Sequence, residues 1–267
     1  MHALYSRYIR TTAVCAVTAA ALAGLAGCGA GGAMASPGGD VRTMAVTPAA
    51  SPAADAVPAA GRAGRSAPAP LPQRLPGLGP KTLSMVPDEA RQAVVVTGEG
   101  PSSSRSTVIL YERTDAGWAA GTAWPAHNAL KGWTDDHREG DLRSPIGVFT
   151  LTDAGGRLAD PGTRLSYDHA PRGFGLSGTG FQGEPLAGSF DYVVSINYNH
   201  VPGTTPRDWT RPMGGSRGGG IWLHVDHGGP TQGCVSLAQD VMKQLLRTLD
   251  PARHPVVVMG DAAALGR

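Results

Sequence analysis

From about residue 93 onward, apolar residues fall into short, β-branched runs separated by polar and glycine-rich stretches. The runs are Ala93-Val-Val-Val-Thr97, Thr107-Val-Ile-Leu-Tyr111, Gly147-Val-Phe-Thr-Leu151, Tyr192-Val-Val-Ser-Ile196, Ile221-Trp-Leu-His-Val225 and Pro255-Val-Val-Val-Met259. Each is too short for a helix and is flanked by turn-forming residues, so each predicts a strand. One segment has a helical period instead. Leu237, Val241, Leu245, Leu246 and Leu249 form an apolar stripe, Ser236 and Gln239 fit an S-x-x-Q capping box, and Pro251 stops the run. The pattern predicts a mainly β fold, without internal repeats, carrying long Gly/Pro-rich loops and one helix directly after Cys234.

The N-terminal third follows a different logic. Arg7 and Arg10 precede an apolar run from Thr11 to Leu25 that is short and Ala-rich for a membrane span, so residues 1–35 read as a secretory signal. Leu25-Ala-Gly-Cys28 resembles a bacterial lipobox, which would make Cys28 the lipidated mature terminus and tether the protein to a membrane. Cleavage after Ala33-Met-Ala35 is the competing outcome and would release a soluble product. Residues 36–74 are Ala, Pro, Gly and Ser with few aromatic or branched residues, a composition that cannot offset ordering entropy and predicts a disordered linker. Residues 75–267 are long enough for one domain with a substantial core.

Composition adds limits rather than a function. The chain has 267 residues, a formal charge of +2 and 41% hydrophobic residues, and no basic cluster pointing to nucleic acid. Of its three cysteines, Cys15 and Cys28 belong to the leader region, which leaves Cys234 as the one thiol of the folded part. A thiol carried unpaired into an oxidising compartment is a hazard unless it is used.

Cys234 closes the segment His224-Val-Asp-His227-Gly-Gly-Pro-Thr231-Gln-Gly233-Cys234. A cysteine becomes a strong nucleophile as the thiolate, and a histidine within reach can take its proton and later protonate a leaving amine. The bland alternative is a small buried hydrophobe, but the surrounding turn residues offer little bulk to bury it. On a strand from Ile221 to Asp226, Leu223 and Val225 would face the core, with Trp222, His224 and Asp226 on the other face. His224 is therefore the candidate base. Asp226 or a backbone carbonyl would orient its imidazole. The helix after the cysteine would add the positive end of its dipole.

These residues resemble the signature of the L,D-transpeptidase (YkuD-like) catalytic domain. His224 matches the family histidine, Thr231 its Ser/Thr, Gly233 its glycine and Cys234 its nucleophile. Upstream, Arg138-Glu-Gly-Asp141-Leu-Arg-Ser-Pro145-Ile-Gly147-Val-Phe149 resembles the S/T-P-x-G-x-F strand entry. The resemblance extends roughly from Val95 to Met259. It implies an L,D-transpeptidase-like β-sandwich and an acyltransferase that needs no cofactor. Cys234 would form a thioester with a peptidoglycan stem peptide, His224 would shuttle the proton, and an amine acceptor would resolve the thioester. Backbone N–H groups of Gly233 and Cys234 would hold the oxyanion. With water as acceptor the same site would be an L,D-carboxypeptidase. The implied setting is outside the cytoplasm, at the membrane facing the cell wall or secreted, with the protein acting as a monomer. Gln232 and Val235-Ser236 depart from the residues common at these positions, which marks a divergent member.

Other residues are weaker candidates. Thr231, Gln232, His227, Asn197 and Tyr198 are expected to contact substrate, although Asn197, Tyr198 and His200 could equally satisfy loop backbone. Gly214-Gly215 and Gly218-Gly-Gly220 could form a flap over the cleft. Of Trp118, Trp124, Trp133, Trp209 and Trp222, most are expected to pack in the core or at its rim, with carbohydrate stacking the alternative. His127 and His137 receive no catalytic role. Two rival classes remain: a zinc site on His224, Asp226, His227 and Cys234, weakened because strand alternation turns the two histidines apart, and an inactive wall-binding module.

Overall fold

A computed structural model describes residues 69–267. The signal-peptide reading, the lipidation of Cys28 and the linker up to residue 68 lie outside the described residues. Packing is already in place at Pro72, whose carbonyl accepts the Trp118 N–H at 2.8 Å.

After a one-turn helix α1 (Pro80–Leu83) come β1 (Gln92–Gly98), β2 (Arg105–Thr114) and β3 (Gly117–His127). Next are β4 (Trp133–Thr134), β5 (Ser144–Pro145), β6 (Gly147–Thr150), β7 (Asp153–Gly156), β8 (Ser166–His169), β9 (Val193–Ser195), β10 (Trp222–Val225) and β11 (Val235–Leu237). The helix α2 (Gln239–Thr248), β12 (Val256–Asp261) and a terminal turn α3 (Ala262–Leu265) complete the chain. Ten strands form one sheet in the order β6-β12-β1-β2-β3-β11-β10-β9-β7-β8, and β4 pairs with β5 apart from it. The fold is mainly β, as the pattern predicts.

The two halves of this one sheet serve as the layers of the sandwich. Val94, Val96, Val108 and Leu110 from one half join Val194, Leu223, Val225, Val235 and Leu237 from the other in a single core. Alternation sends Ala93 and Val95 to the opposite face, where they meet Leu75, Trp118, Val258 and Leu265 in a second cluster. Strand β1 is therefore buried on both faces, which is why it reads as an unbroken apolar run. Val241, Met242, Leu245 and Leu246 seat α2 against the main core. Truncating any of these leucines to alanine would cost about 2–5 kcal/mol.

The capping box is a correction. Ser236 belongs to β11, and its hydroxyl donates to Asp226 Oδ1 at 2.7 Å rather than to a helix N–H. Helix α2 starts at Gln239 behind Ala238, which supplies no side-chain cap. The stripe is real, but its first leucine, Leu237, is a strand residue. With β11 between Cys234 and α2, no helix N-terminus lies next to the sulfur, and the dipole contribution expected for the thiolate is removed.

Candidate functional site

Strands β10 and β11 are parallel neighbours in the sheet, joined only by residues 226–234. Parallel strands ordinarily need a crossover of a dozen or more residues. Turn residues make the short route feasible. Gly228 adopts a φ of 87°, open only to glycine without strain. Thr231 then pins the loop: its N–H donates to Asn128 O, its carbonyl accepts from Leu130 N–H, and its hydroxyl donates to Cys234 O at 2.6 Å. Thr231 thus acts through the backbone that carries the cysteine.

The register pairs Leu223 with Val235 and His224 with Ser236, which puts Cys234 across from Trp222 and diagonal to His224 on the same face. The alternation expected for β10 is present: Leu223 and Val225 enter the main core, while Trp222 joins a small cluster with Phe174, Val193 and Cys234. Trp222 N–H points at the sulfur at 3.4 Å, and the thiol is 3.5 Å from the Gly220 carbonyl, to which it donates. Burial pushes the thiol up to about 11, with the Trp222 N–H working weakly against that rise. The resting group is a neutral thiol.

His224 is buried at 3% exposure, and its Nδ1 lies 2.9 Å from the Val225 carbonyl, which fixes Nδ1 as the donor. Of the two orienting groups weighed above, the backbone carbonyl is the one present. Burial, helped by the neighbouring His227 and opposed by the Val225 carbonyl, lowers the imidazole to about 4. His224 is therefore a neutral imidazole with Nε2 unprotonated. Asp226 is engaged elsewhere, accepting from His127 Nδ1 at 2.9 Å and from Ser236. Burial raises its carboxyl, but these two donors outweigh that and hold it below the usual carboxylate range.

His227 does not turn away from His224. The two rings lie 11° from parallel with centroids 5.8 Å apart, because the strand ends at Val225 and the alternation ends with it. His227 Nδ1 lies 3.2 Å from Glu184 Oε1, close enough for attraction but off the axis of a good hydrogen bond. The Glu184 carboxyl is held low: burial opposes this, while backbone donors, among them Gln182 N–H at 2.7 Å, and His227 prevail.

Cys234, His224 and His227 line a cleft of about 370 Å³ together with Thr231, Gln232 and Gly233. One wall is the 176–190 segment, including Phe181 and Phe190. The other holds His137, Glu139 and the Gly219-Gly220 backbone, the second part of the glycine segment expected as a flap. Asn197 and Tyr198 are outside this lining. Asn197 Nδ2 is taken up by the hydroxyls of Thr150 and Thr152, and the Tyr198 hydroxyl donates to Arg217 O. Loop satisfaction accounts for both. His137 is a residue that sequence reasoning set aside. It is buried, lies 3.0 Å from Asp141 Oδ1 and stands edge-on to Tyr198. Its i,i+4 spacing to Asp141 was the available signal. Glu184, distant in sequence from every motif, carried none. Among the described residues no group of three or more His, Cys, Asp and Glu side chains is arranged to hold a metal ion.

Fold and site together define a β-rich domain that presents one thiol and one neutral imidazole on the same face of a parallel strand pair. The family model for the L,D-transpeptidase catalytic domain, YkuD, matches residues 89–258, and the chain belongs to that family. It is also similar to a solved structure of Bdellovibrio bacteriovorus Bd1075, at 18% identity over 72% of this chain, with a TM-score of 0.36. This chain spans about half the length of that one, at 54%. No curated protein matches it.

Proposed function

We propose that the protein is a cysteine-dependent L,D-transpeptidase acting on peptidoglycan stem peptides, exported and anchored through a lipid on Cys28. The observation that carries this reading is the placement of Cys234 and His224 on one face of β10 and β11, opening into one cleft. Family membership supplies the reaction class.

In the first half-reaction the Cys234 sulfur attacks the carbonyl of the donor's third residue, and the thiol proton passes to His224 Nε2. The tetrahedral oxyanion is met by the N–H groups of Gly233 and Cys234. Collapse breaks the C–N bond, and His224 returns the proton to the departing D-alanine amine. In the second half an acceptor amine attacks the thioester, the C–S bond breaks and the proton goes back to sulfur. No cofactor takes part. With the thiol near 11 and the imidazole near 4, the proton rests on sulfur, so it moves only as the S–C bond forms. Water in place of the amine would make the same site a carboxypeptidase.

Intact-protein mass spectrometry of the full chain, incubated with a carbapenem and with a tetrapeptide donor, tests the proposal. The expected result is an adduct in the wild type, none in Cys234→Ala and slow formation in His224→Ala. An adduct that persists in Cys234→Ala, or no adduct with either reagent, would overturn it.

A further inference from the structure

Trp118, Trp124, Trp133 and Trp222 are buried, whereas Trp209 is 72% exposed. Isolated exposed apolar side chains are common, but an indole this bare is costly unless it meets something. Its position is specific. The benzo edge of Trp209 lies beside Gly220, whose carbonyl accepts the Cys234 thiol. The Arg211 guanidinium covers one face of the indole, 4.8 Å from its centroid, which leaves the other face open. Arg211 Nη1 is spent on the Asp208 and Thr210 carbonyls. Burial depresses the guanidinium somewhat, with Glu139 on the cleft wall working against that. Arg211 also packs against Gly219, where a Cβ would collide with it, so the platform is built into the cleft rim and not hung on a loose loop. Phe181, another of the exposed large hydrophobics, is among the residues lining the cleft.

We infer that Trp209, held by Arg211, is a stacking platform for an N-acetylated sugar ring, bringing the glycan portion of the substrate against the cleft rim. This rests on the transpeptidase reading for the source of the sugar. The chemistry fits a pyranose: a flat π face accepts the axial C–H groups of the ring, and donors on Arg211 not used by its own loop suit hydroxyl or acetamido oxygens.

Two measurements on the full chain test it. In the first, kcat/KM is compared for a disaccharide-tetrapeptide donor and the sugar-free tetrapeptide. Wild type is expected to favour the sugar-bearing donor through KM, with Trp209→Ala lowering that preference about tenfold, the size of one good stacking contact, and Trp209→Phe retaining part of it. An unchanged ratio in Trp209→Ala would overturn the inference. In the second, an N-acetylglucosamine tetramer is titrated against Cys234→Ala protein, reading the Trp209 indole N–H in NMR. A saturable shift of that signal, assigned by its absence from Trp209→Phe, is expected, and no shift overturns the inference. Because the second measurement needs no catalysis, failure of the transpeptidase reading would show as an inert wild type that still binds the sugar.

Discussion

The imidazoles of His224 and His227 lie 11° from parallel, 5.8 Å apart at their centroids, with Glu184 behind the second ring. Charge on His227 opposes charge on His224, adding to the effect of burial. Replacing His227 with glutamine should therefore move the acid limb of the acylation pH profile upward from about 4. It should stay below 6.5, because burial remains the larger cause. An acid limb that stays in place would mean that the two rings do not communicate.

The thiol should behave as a weak acid. With Cys234 near 11, the rate of iodoacetamide labelling at that residue should keep climbing about tenfold per pH unit from 8 to 10. An ordinary thiol at 9.0 would level off within that range. Peptide mapping separates Cys234 from the other two cysteines, and a plateau near pH 9 would contradict the burial argument.

His224 also couples folding to pH. Its folded value near 4 lies below the unfolded value of 6.5, so between these pH values the unfolded chain takes up a proton that the folded chain refuses. Stability is full above 6.5, falls as pH drops through the window and levels off below 4, a loss of about 3 kcal/mol. His224→Gln should lack this component, so its urea midpoint should gain on the wild type as pH is lowered from 7 to 4. Parallel curves for the two proteins would refute the linkage.

Asp226 is a structural carboxylate, with Ser236 and His127 as its partners. Ser236→Ala should cost about 1 kcal/mol, and Asp226→Ala, which strands a fully buried hydroxyl, about 1–3 kcal/mol. Thermal denaturation measures both, and a double-mutant cycle on Ser236 and His127 should show coupling through the shared oxygen. Acylation rates that drop while stability is unchanged would move Asp226 from scaffold to chemistry.

Glu184 ties the 176–190 wall to the histidine side of the cleft. In Glu184→Ala, His227 loses its carboxylate and Gln182 N–H its acceptor. Amide exchange in residues 178–186 should accelerate at least severalfold, because local opening no longer breaks a buried pair. Exchange that stays at its wild-type rate would show that the Glu184–His227 pair does not hold the wall.

Much of this was legible in the chain. Runs such as Val94-Val-Val96 and Val256-Val-Val258 announce strands because both faces are buried, and Cys234 with His224 stood out by residue type. Strand β3 was hidden because its buried Trp118 and Trp124 are separated by small, mostly exposed residues. Strand β7 ends in two glycines with no side chain to report a period. Strand β11 spans three residues, and its Ser236 imitated a helix cap. The histidine pair was misread for a related reason: a strict period was extended past Val225, where the strand had stopped. Glu184 shows the general limit, since a contact made across a loop leaves no local pattern.

The ends of the described domain are bonded to each other: Gly79 N–H donates to Leu265 O and Lys81 N–H to Arg267 O. Both lie on the β1–β12 side of the sheet, whereas Cys234 and His224 lie beyond β2 and β3 on the β10–β11 side. Tension arriving through the chain ahead of residue 69 would first meet the Trp118–Pro72 bond and then this terminal clasp. A domain pulled from its N-terminal side would give way at the clasp before the strands carrying the thiol and imidazole parted. The geometry isolates the cleft mechanically from the chain ahead of residue 69.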